Sequence, residues 1–78
     1  MPLYEVAFVK KPSKTEEEAG KGEELLWRSK EPIPASTTEA AIAIAGAAAN
    51  DKLWEPGSTP KPKVSPNLLL VFVRPFSR

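Results

Sequence analysis

The feature that most constrains this chain is a stretch that offers water almost nothing: residues 36–50, STTEAAIAIAGAAAN, begin and end like a helix yet carry no charge between Glu39 and Asp51. A surface helix of a globular protein normally keeps one charged face. This one keeps none, and with only 78 residues in the chain little else is available to cover it. The segment therefore predicts tight packing, either against the chain's own sheet or against a second copy or a partner.

Ser36 with Glu39 three residues on makes a capping box, and Asn50 with Asp51 supplies the stop. On a 3.6-residue period Ile42, Ala45, Gly46 and Ala49 share a face, with Ala41, Ile44 and Ala48 beside it. Alanine brings helix propensity and little burial, and a mid-helix glycine costs about 1 kcal/mol relative to alanine. Gly46 is therefore read as a point where another backbone comes close. Ile42, Ile44, Ala45, Gly46 and Ala49, together with Trp27, form the candidate interface.

At 8.5 kDa, residues 1–78 make one small domain. Such domains bury roughly 60% of the surface of their unfolded chain and are marginal alone. Disulfides or a metal usually make up the difference, but the sequence has no Cys and no His. Association is the remaining route, with a homo-oligomer or a host protein as the expected partner.

The same two absences remove the imidazole base, the thiolate nucleophile and the soft metal site. The carboxylates Glu16, Glu17, Glu18, Glu23 and Glu24 fall in a segment with no large apolar anchor, whereas catalytic acids need fixed geometry. Gly20-Lys21-Gly22 lacks the spacing of a phosphate loop. No catalytic residue, cofactor or metal is expected, and the chain reads as non-enzymatic. The N-terminus, MPLYEVAFVKKP, lacks the basic-then-apolar pattern of a secretory signal, and the apolar runs at 40–49 and 68–73 are shorter than the ~20 residues that span a bilayer. A cytoplasmic location without membrane association is the expectation.

Residues 3–9, LYEVAFV, alternate as a strand, with Tyr4, Val6 and Phe8 on the core face and a semi-apolar face opposite. Residues 24–36 read as an edge strand or extended segment, because Pro32 and Pro34 cannot donate to a ladder; Leu25 and Trp27 are expected on one face. Residues 68–73, LLLVFV, are apolar on both faces and read as a buried strand. Between these elements, 10–23 and 51–66 read as mobile loops, the first with a rival reading as a helix capped by Thr15 and Glu18, the second proline-rich. The resulting class is α+β: a small, mainly antiparallel three-stranded sheet in β-β-α-β order, with the last strand returning beside the first and the alanine-rich helix on one face.

The functional expectation is a small protein–protein interaction or assembly module that self-associates through the Ala/Ile helix or the uncovered sheet face. An accessory nucleic-acid-binding role is the alternative. Residues 51–78 carry five basic and two acidic side chains, and Lys10, Lys11, Lys61, Lys63, Arg74 and Arg78 could supply a basic rim, with Tyr4, Phe8, Trp27 and Phe72 as stacking groups.

Overall fold

A computed structural model describes residues 2–76. The alternation at the start of the chain forms the central strand, β1 (Leu3–Lys10), which leaves Val6 and Phe8 only 1% and 3% exposed. After it come α1 (Lys14–Glu18), β2 (Glu24–Arg28), β3 (Ile33–Pro34), α2 (Thr38–Ala48), α3 (Asn50–Leu53) and β4 (Leu69–Pro75), the last entered through a 3-10 turn at Pro66–Leu68. β2 and β3 each pair antiparallel with β1, at its C-terminal and N-terminal ends respectively, and β4 pairs antiparallel with β1 over its length. The chain is a small α+β unit whose last strand does return beside the first.

The break between β2 and β3 is handled locally. The chain leaves the ladder after Arg28 and rejoins it at Ile33; Pro34 stands inside β3, where its missing N–H faces away from β1, since the next residue, Ala35, donates to Pro2 C=O. Ser29 fills the gap: its hydroxyl accepts from Val6 N–H at 3.1 Å, and its own N–H donates to Val6 C=O at 2.9 Å. A bulge between Phe8 and Val9 sets Trp27 opposite Phe8 and Leu25 opposite Val9, leaving Leu26 as the extra residue. Leu25 and Trp27 consequently do not share a face. Leu26 and Trp27 both pack on the core, where the Phe8 and Trp27 rings lie 5.9 Å apart at 43°, while Leu25 is 58% exposed.

α2 starts one residue later than the capping box predicts. Thr37, in extended geometry, accepts from Ala40 N–H at 3.0 Å, so Glu39 sits in the first turn, where it suits the helix dipole but does not close a box. Nor does the helical path stop at Asn50; it turns at Ala49 and continues as α3 into the stretch read as a loop. The inward stripe of α2 is Ala41, Ala45 and Ala49, all fully buried against the sheet together with Val6, Phe8, Ile33, Ala35 and Leu53. Half of this cluster is alanine, so the helix sits close to the sheet and the core is thin. The molecule is only 18 Å across its shortest axis.

The 10–23 segment also contains a short helix. α1 is capped by Ser13, two residues before the rival helix reading placed the cap: Glu16 N–H donates to Ser13 Oγ at 3.3 Å, and Ser13 N–H donates to Glu16 Oε1 at 3.2 Å. The Lys10 ammonium lies 3.4 Å from the same carboxylate. No α1 side chain is buried, so it decorates the β1–β2 connection and covers nothing. Further on, the proline-rich segment is tied back to α3: Lys63 N–H donates to Leu53 C=O and Glu55 N–H to Lys61 C=O, both at 2.8 Å, and Val64 is buried.

β4 departs most from expectation. Its apolar residues suggest a buried strand, yet Val71 is 40% and Phe72 53% exposed. With β1 central, β4 has a neighbouring strand on one side only among the described residues.

Candidate association surface

The sheet presents a covered face and an open one. Directly paired residues on the open face are Val9 with Leu70 and Leu25, Ala7 with Phe72 and Arg28, and Glu5 with Arg74. This gives an apolar band across three strands, closed at one end by an ion pair in which Arg74 Nε lies 2.6 Å from Glu5 Oε2. No helix contacts this face strongly; α2 packs on the opposite side with Val6 and Phe8.

β4 also offers a bare backbone edge. Lys11 N–H donates to Leu68 C=O at 2.7 Å and Phe76 N–H to Leu3 C=O at 2.8 Å. Hydrogen-bonded pairs alternate along an antiparallel ladder, so Leu70, Phe72 and Arg74 turn their backbone groups to β1, whereas Leu69, Val71 and Val73 turn theirs outward. Among the described residues no strand meets these outward groups. Pro75 ends the row, lacking a donor of its own. The opposite side of the sheet differs: β2 is short and bulged with charged ends, and Pro32 and Pro34 interrupt its continuation. Those are devices that blunt an edge, and β4 has only its terminal proline.

The residues singled out in the sequence do not gather on one surface. Ala45 and Ala49 are fully buried in the chain's own core, and Trp27 is half-buried against Phe8. Ile42 is half-buried and Ile44 is 48% exposed, beside Ala48 and Lys52 in a groove between α2 and β2. A side chain at Gly46 would meet no atom within 4 Å, so no contact inside the chain demands glycine there. Of the basic residues, Lys10 is paired with Glu16, Arg74 with Glu5, and Lys63 Nζ donates to Asp51 C=O at 2.7 Å. Lys11 and Lys61 are exposed, and Arg78 lies outside the described residues. Tyr4, Phe8 and Trp27 belong to the core side, so of these four proposed stacking groups Phe72 alone is on the open face.

Leu25 and Val71 are exposed residues that sequence reasoning missed, whereas Phe72 was named only as a stacking group of the nucleic-acid alternative. The available signal was topological: in a three-position sheet whose middle is the first strand, the last must be an edge.

Among the described residues no group of three carboxylates is placed to hold a metal, and no helix is long and apolar enough to cross a membrane. Glu16 is held below its ordinary value first by the Ser13 N–H, then by the Ser13 hydroxyl and Lys10. It lies in the α1 cap, away from the open face. No family model matches the chain, and comparison with curated proteins and with solved structures gives no significant match.

Proposed function

We propose that this chain is a non-enzymatic assembly module that works by self-association through its uncovered sheet surface. The observation that carries this reading is area. The chain exposes 5789 Å², whereas a compact monomer of its mass exposes about 4,700 Å². The excess of about 1,100 Å² exceeds the ~800 Å² that each partner gives up in an interface of standard size. The open face adds an apolar, contiguous band from Leu25 through Val9 and Leu70 to Phe72. A core that is half alanine adds a reason, since it leaves the single chain with little buried apolar volume to hold it together.

The Ala/Ile helix is the weaker of the two surfaces considered, because its alanine stripe is already spent inside the fold. Light scattering at micromolar concentration tests the reading. The expected mass is at least two chains, unchanged between low and moderate salt; a single-chain mass throughout refutes it.

A second reading, accessory nucleic-acid binding, has one observation in its favour: Phe72 shares an open-face depression with Arg28, Lys30 and Arg74. It is the lesser reading because Lys10, Lys63 and Arg74 are engaged within the chain. Binding to a single-stranded oligonucleotide that weakens steeply with salt would favour it.

A further inference from the structure

We propose that the occupant of the β4 edge is a second copy of this chain, added antiparallel with Val71 at the twofold axis. The inference rests on the self-association proposed above and supplies its geometry. The outward backbone groups of Leu69, Val71 and Val73 are spaced two residues apart and are symmetric about Val71. A twofold antiparallel partner therefore sets Val71 against its own counterpart, and Leu69 against the counterpart of Val73. Each such pair exchanges two N–H···O=C bonds.

Neighbouring registers are worse. A slip of one residue sets outward groups against inward ones. A slip of two in one direction brings Pro75 opposite Leu69, whose carbonyl then finds no donor. A slip of two in the other direction sets Val73 against Asn67, which belongs to the 3-10 turn and not to the strand.

The side chains agree with the central register. On the open face Leu70 meets the counterpart of Phe72, and Phe72 that of Leu70, in the closer, non-hydrogen-bonded type of pair. Each Phe72 ring, 53% exposed, thereby gains Leu70 of the other copy as a neighbour on the β4 side. Arg74 is the one charge on β4 and is already neutralised by Glu5, so two such edges meet without like-charge repulsion.

Because the chain has no cysteine, single substitutions in the full chain report the pairing directly under mild oxidation. Val71→Cys places two Cα atoms about 5.5 Å apart, within disulfide range. Val73→Cys places its two copies roughly 14 Å apart along the strands, out of range. The expected result is a disulfide-linked dimer for Val71→Cys and loss of that product for Val73→Cys. Amide exchange gives the second readout: Leu69, Val71 and Val73 are slow in concentrated protein and fast on dilution, while Leu70 and Phe72 are slow in both. Equal cross-linking of the two variants in a sample that scatters as two or more chains overturns the edge pairing and leaves self-association standing. A single-chain mass with fast edge amides at every concentration overturns both, and leaves a peptide strand from another protein as the occupant.

Discussion

Val6 and Ser29 exchange two hydrogen bonds across the gap between β2 and β3, the Val6 N–H donating to the Ser29 hydroxyl and the Ser29 N–H to the Val6 carbonyl. Without the hydroxyl, the amide of a residue that is 1% exposed has no partner. Ser29→Ala is expected to lower stability by about 1–3 kcal/mol, the cost of leaving a buried donor unsatisfied. Urea unfolding checks this; a change in the midpoint too small to register would mean that water replaces the hydroxyl.

Adjacent positions on α2 should respond in opposite directions. Gly46→Ala adds a methyl group where nothing lies within 4 Å, and should stabilise the fold by about 0.5–1 kcal/mol through helix propensity. Ala45→Leu forces a large side chain under a helix that lies against the sheet, and should cost about 1–3 kcal/mol. Thermal unfolding of the pair measures the contrast. A loss of scattering mass in Gly46→Ala would return Gly46 to the interface.

The α1 cap is acid-sensitive. Glu16 titrates below its ordinary 4.5 because the Ser13 N–H, the Ser13 hydroxyl and Lys10 all favour its charged form. A lowered folded value means that the contribution is complete above the unfolded value and fades as pH falls through the folded one. Ser13 and Glu16 amide shifts should therefore move together at a pH below 4.5, and Glu16→Gln should abolish the transition. Titration of Glu16 at or above 4.5 would contradict the capping geometry.

Removing residues 13–22 and closing the β1–β2 connection with a short turn should change stability by less than about 1 kcal/mol. No side chain of α1 is buried. Loss of a cooperative transition would show that α1 organises the hairpin.

Most of the fold is legible in particular residues. Tyr4, Val6 and Phe8 announce β1 and its core face, and a charge-free helix in so short a chain must pack on something. The errors have physical sources. S/T-x-x-E occurs at both Ser13 and Thr15, and only the geometry of Lys10 and the turn decides between them. Ser36 and Thr37 are likewise both able caps. A one-residue bulge at Phe8/Val9 leaves no compositional trace, so Leu25 and Trp27 seem to share a face. Val71 and Phe72 have the composition of a buried strand because side chains record what a strand touches above and below, and say nothing about how many strands lie beside it. The candidate association surface was therefore only half legible: the uncovered sheet face follows from counting layers, whereas the free edge needs the strand order.

Under the proposed β4 pairing, the prolines at 32 and 34 would set a ceiling on stoichiometry. A sheet with two open sides polymerises, each added copy exposing a fresh template, and fibres are the usual end of that arithmetic. Here one side is broken by residues that cannot donate, which would give the proposed β4 pairing a valence of one. Two copies joined at β4 would turn their proline-interrupted sides outward and have nowhere left to grow. Replacing Pro32 and Pro34 would then do more than alter a loop: it would convert a closed pair into the repeating unit of a filament.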